Sequence, residues 1–149
     1  SCNPNFHFTG AHYINADTAA FMQLLESDLF ERFPKLKLII PHGGGAVPYH
    51  WGRYRGIAMG MNRPEPKDMM GENLYFDTCV YHQPVPVGNI LFASELHGAV
   101  RCKDPDTGEW FDDTRRYIDA TDNLTPEEKE KVFYKNALKV FSRLKLPAA

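Results

Sequence analysis

His42 stands directly after the apolar run Leu36-Lys37-Leu38-Ile39-Ile40-Pro41 and directly before Gly43, Gly44 and Gly45. A short β-branched run bounded by breakers predicts a strand, although length alone also admits a buried helix segment. Two further runs end in the same way. Asn73–Thr78 finishes on Asp77 and Thr78, and Asn89–Glu95 finishes on Glu95 with His97 close behind. Polar residues at the carboxyl ends of parallel strands are where α/β folds bind ligands and do chemistry. A histidine and carboxylates gathered there suit a divalent metal or general acid–base catalysis.

Each of these residues also has a plainer reading. A histidine after a strand can simply cap a turn, but the three glycines that follow His42 let the backbone turn at positive φ or approach a ligand closely. Asp77 reads equally as a satisfied strand-end carboxylate. Glu95 follows an apolar strand and precedes Leu96, which argues against a stray surface glutamate, whereas His97 reads as structural or supporting. His-Gly-Gly-Gly is also an oxyanion-hole signature of lipases and esterases, a fold that needs a serine in Gly-x-Ser-x-Gly. The serines are Ser1, Ser27, Ser94 and Ser142, and none has the flanking glycines. The esterase reading fails for this chain.

The elements that must hold these tips follow from pattern. Residues 1–16 have no clear period and read as a loop, either a solvated surface connection or a βα loop over the site, the second favoured by His7, His12 and Tyr13. Asp17 is placed to cap a helix whose face is Phe21, Leu24, Leu25, Leu29 and Phe33, ending at Pro34. Strand 36–41 comes next, then a helix over 46–60 with Pro48 in its first turn and an aromatic and cationic face suited to an interface. Asn62–Gly71 reads as an excursion, and 99–116 as an irregular loop with a turn at Asp104–Gly108. Thr125-Pro126-Glu127-Glu128 is a capping-box helix start, and a last helix runs from about Lys135 to Leu144. Strand, polar tip, helix, strand is the rhythm of a parallel sheet or barrel.

Composition sets bounds. The 149 residues suffice for one domain with a core, and 43% hydrophobic with 24% charged residues is a globular balance. A net charge of −2 points away from nucleic acid and membrane surfaces. No apolar run reaches the length of a membrane span. Cys2, Cys79 and Cys102 are odd in number and form no CxxC pair, which fits a cytoplasmic setting. A whole (β/α)8 barrel takes about 250 residues, and only three strands are visible here. The start at Ser-Cys-Asn-Pro therefore suggests the back part of a longer chain. The link Cys79–Gly88 is ten residues long and carries Pro84 and Pro86, too short and too broken for a crossover helix. Either a helix has been lost there or residues are missing between those points, and the second explanation is favoured.

Taken together, Phe33-Pro34-Lys35-Leu36-Lys37, Pro41-His42-Gly43-Gly44-Gly45 and Gly52-Arg53 resemble the sixth strand and following helix of the amidohydrolase superfamily. The branch is the one that includes aminocarboxymuconate semialdehyde decarboxylase. Asn73–Thr78 is similar to its seventh strand, Asn89–Glu95 to its eighth, and Asn136-Ala137 to its closing helix. Within the branch, the loop Phe6–Asp17 and the tip Ala93-Ser94-Glu95 are most like the hydratases of 4-oxalomesaconate.

The resemblance implies the carboxyl-terminal part of a (β/α)8 barrel, strands 6 to 8 with their helices, in a homo-oligomer. It implies one zinc, with Glu95 as a metal ligand and the remaining ligands upstream of Ser1. His42 would be the general acid or base, and Tyr13 and Arg53 would bind substrate, a small unsaturated carboxylate. Zinc brings the pKa of bound water to about 7, and a histidine with its reference pKa near 6.5 suits the proton transfer. The implied reaction is addition of water to the double bond of 4-oxalomesaconate in protocatechuate breakdown. A decarboxylase of a related acid and an inactive assembly module are the alternatives.

Overall fold

Three parallel strands, β1 (Leu38–Ile40), β2 (Leu74–Asp77) and β3 (Ile90–Leu91), lie side by side in chain order. Leu38 is opposite Leu74 and Ile40 opposite Phe76, while Phe76 and Asp77 are opposite Ile90 and Leu91. This computed structural model describes residues 10–78, 86–94, 102–111 and 113–145. Leu74, Tyr75 and Phe76 are consecutive and all buried, so both faces of the central strand are covered. That is the environment of a parallel sheet packed between layers, and it explains why the run shows no alternation of apolar and polar residues.

Helix α1 (His12–Glu26) starts well before the expected cap. Asp17 lies inside it, and the residue before His12 is Ala11, which makes no side-chain cap. The first turn carries little apolar periodicity because it faces the strand tips and not the core. Phe21 and Leu25, further along, are fully buried, and the Phe21 ring meets Tyr54 at 5.6 Å and Phe76 at 5.9 Å. The helix also stops earlier than its stripe suggested, at Ser27. A separate turn, α2 (Leu29–Arg32), follows, and Phe33 is half exposed.

The helix expected over 46–60 is α3 (Trp51–Gly60). Residues 45–50 form irregular turns, with the His50 N–H shared between the Ala46 and Val47 carbonyls. Its aromatic and cationic face divides: Tyr54 turns into the core, while Tyr49, His50 and Arg53 stay exposed. The excursion contains a short helix, α4 (Pro66–Met70), with Pro66 in its first turn and Met70 fully buried. The turn at Asp104–Gly108 joins Lys103 and Trp110 in an antiparallel bridge, with Gly108 at φ 74°. Irregular structure ends sooner than expected, because α5 spans Thr114–Ala120.

The capping box is present. Thr125 Oγ1 accepts from the Glu128 N–H, and the Glu128 carboxylate accepts from the Thr125 N–H. From there α6 (Pro126–Glu130) runs through a π turn at Lys131–Lys135 into α7 (Asn136–Val140). Asn136 is fully buried, and its amide donates to the Val87 and Ile90 carbonyls at 2.7 and 2.8 Å. Asn89 does the same for Gly71 and Leu74, and Asn73 for Pro34 and Leu36. Three asparagines thus clamp the amino-terminal approaches of the strands, opposite the edge that carries the polar tips.

Candidate functional site

The chain leaves β1 through an unusual backbone. His42, Gly43, Gly44 and Gly45 all have positive φ, at 51°, 64°, 80° and 65°. Glycine adopts this region freely, but a histidine there stores strain of about 1–2 kcal/mol. The strain is held by contacts on both sides of the loop. The Gly43 N–H donates to Asp77 Oδ1 at 2.7 Å, tying the loop to the tip of β2. Thr18 Oγ1 donates to the Ile14 carbonyl at 2.7 Å and accepts the Ala46 N–H at 2.9 Å, tying it to α1. Gly44 lies against the Phe76 ring, where a Cβ would come within 2.8 Å.

This loop sets the His42 ring between two side chains of α1. Asp17 Oδ2 is 2.7 Å from His42 Nδ1, and the Tyr13 ring stacks on the imidazole at 5.6 Å with an interplanar angle of 29°. Tyr13 and Asp17 are four residues apart, so successive turns of one helix bring them to the same face. The His42 and Asp17 side chains are only 24% and 16% exposed. An ionised carboxylate only accepts hydrogen bonds, so Nδ1 donates and Nε2 keeps its lone pair in the neutral ring. The result is an imidazole held at Nδ1 beside an aromatic wall.

Tyr13 and His42, both expected site residues, are therefore in contact. Arg53 is not part of this cluster. It sits on the exposed side of α3, and its guanidinium makes no hydrogen bond or ion pair among the described residues. Glu95, the expected metal ligand, and His97 lie outside the described residues. Asp77 braces the loop through Gly43, as a strand-end carboxylate does. Asp17 was read as a cap and its contact with His42 was missed. The spacing of Tyr13 and Asp17 was the available signal, usable only with the helix begun at His12.

The family model for amidohydrolases matches residues 3–143. The chain belongs to the amidohydrolase family. It is 55% identical, over 97% of its length, to a 2-keto-4-carboxy-3-hexenedioate hydratase of Sphingobium sp. (strain NBRC 103272 / SYK-6). A crystal structure of 4-oxalomesaconate hydratase from Rhodopseudomonas palustris superposes with a TM-score of 0.85 at 58% identity, over 91% of this chain. A dihydroxybenzoic acid decarboxylase from Polaromonas sp. JS666, solved with bound manganese, shares the fold at a TM-score of 0.58 and 19% identity, covering 87% of this chain and 40% of that one. The chain spans 44% of the length of each hydratase. This amidohydrolase is thus an α/β chain whose sheet and helices correspond to part of a (β/α)8 barrel.

The described residues of this amidohydrolase do not by themselves fit a metal. Among them no three histidine, cysteine, aspartate or glutamate side chains converge as ligands, and His42 Nδ1 and Asp77 Oδ1 are already engaged. What the described part brings together is His42, Asp17 and Tyr13 just beyond the carboxyl end of β1.

Proposed function

We propose that this chain forms the carboxyl-terminal part of a zinc-dependent hydratase that adds water to 4-oxalomesaconate in protocatechuate degradation. The observation that carries this reading is 55% identity to a hydratase across 97% of the chain. The decarboxylase alternative has weaker support, since the decarboxylase compared above shares the fold at 19% identity.

Hydration of a conjugated double bond needs few groups. The oxygen of water bonds to the carbon remote from the carbonyl, the π bond is consumed, and the electron pair moves onto the carbon beside the carbonyl as an enolate. A proton on that carbon completes the addition, with no net oxidation or reduction. His42 Nε2 is suited to take the proton from water and return one to carbon, because Nδ1 is already committed to Asp17. Tyr13, stacked on the imidazole, is proposed to line the substrate. Arg53 is proposed to hold a substrate carboxylate, through the contact between subunits of a homo-oligomer. Glu95 is proposed as the zinc ligand in this chain. The setting is proposed to be cytoplasmic, and no helix among the described residues is long and apolar enough to cross a membrane.

The test is product analysis. The full polypeptide of which this chain is proposed to be the carboxyl-terminal part, supplied with zinc, is incubated with 4-oxalomesaconate and the product identified by mass. Gain of one water, abolished by His42→Asn, is expected. Release of carbon dioxide would move the assignment to a decarboxylase, and no turnover would leave an assembly module.

A further inference from the structure

We propose that Asp17 is the positioning residue of the site: it holds His42 in the tautomer whose Nε2 carries the lone pair. The proposal rests on the reading of His42 as the proton-transfer group and adds to it a residue on a different element.

The contact itself is short, 2.7 Å between Asp17 Oδ2 and His42 Nδ1. Neither side chain is freely solvated, so the pair differs from exposed ion pairs that solvent screens. A free neutral imidazole can carry its proton on either nitrogen, and a carboxylate at Nδ1 selects one. Orientation is fixed as well as tautomer. Tyr13 covers one face of the ring, the Gly43 N–H is anchored on Asp77, and Thr18 joins α1 to Ala46. Aspartate is a poor choice for a helix interior and a good one for a cap. Inside α1, one turn after Tyr13, its carboxylate is used for His42.

The experiment is ¹⁵N NMR of the imidazoles in the purified polypeptide, with His42 assigned by its loss in His42→Asn. The expected parent spectrum shows His42 protonated on Nδ1 with Nε2 bare. In Asp17→Ala that preference disappears, and Asp17→Glu regains it at least in part. In the hydration assay, Asp17→Ala is expected to lower kcat by about 10²-fold with KM within about twofold, as loss of an oriented general base does. Asp17→Asn, closer in shape, serves if the alanine variant does not fold. A parent His42 with Nε2 protonated overturns the proposal. So does an Asp17 variant whose loss is confined to KM, or follows the fraction folded. The spectrum answers even if the parent does not hydrate 4-oxalomesaconate, in which case the hydratase reading alone falls.

Discussion

Gly45 passes so close beneath helix α1 that a Cβ on it would lie 2.6 Å from the Ile14 carbonyl oxygen. The same Cβ would be 2.6 Å from Thr18 Oγ1, and Gly45 has φ 65°. Backbone and a hydrogen-bonded hydroxyl cannot yield as a flexible side-chain end would. Gly45→Ala is therefore expected to cost about 2–4 kcal/mol from strain and overpacking together. It should also separate Asp17 from His42, since both ride on the elements being pushed apart. Urea unfolding and the hydration assay check the two effects. A variant of parental stability and activity would contradict the close approach.

Asn136 supplies a prediction on the opposite edge of the sheet. Its amide satisfies two carbonyls, Val87 and Ile90, that flank the start of β3, and its side chain is fully buried. Asn136→Leu keeps the bulk but strands both acceptors, with an expected loss of about 2–4 kcal/mol. Hydrogen exchange should locate the loosening around β3, while the Asp17–His42 pair stays formed. Uniform loss of protection, or none, would show that the clamp is not local.

How much of this was readable follows from what each residue faces. The three strands were legible because all are apolar runs with polar tips, and the box at Thr125 because its cap chemistry is local. The start of α1 was not, since Tyr13 and Asp17 point at the His42 loop and interrupt the apolar stripe that marks a helix. The break at Ser27 was hidden for the opposite reason. Leu29 and Phe33 continue the stripe in sequence although the chain has already turned. At His42 the glycines signalled unusual backbone, but the positive φ of the histidine itself came only from the folded loop.

The capping box sets a pH dependence. Hydrogen bonds from the Thr125 backbone N–H, then from its hydroxyl, hold the Glu128 carboxyl below its usual range. A carboxyl whose pKa is lower in the folded state contributes stability above its unfolded value, about 4.3. That contribution is lost as pH falls from there through the folded value. Glu128→Gln should flatten this part of the acid limb while changing little at pH 7 that the amide cannot replace. Thermal midpoints measured from neutral pH down past the glutamate range test it, and an unchanged acid limb in the variant would refute the linkage.

Arg53 separates binding from folding. Its side chain is exposed and has no hydrogen bond or ion pair among the described residues, so truncation removes none of those. Arg53→Ala is expected to shift stability by less than about 0.5 kcal/mol. Arg55, two residues on, behaves differently because it is paired in two hydrogen bonds to Glu65. If Arg53 grips a substrate carboxylate, its loss raises KM about tenfold or more, and lysine restores only part because it lacks the planar fork. The rise should appear with little change in kcat, unlike the Asp17 variants. If Arg53→Ala leaves KM unchanged in the assembled enzyme, the substrate's carboxylates are held elsewhere and the α3 face is surface alone.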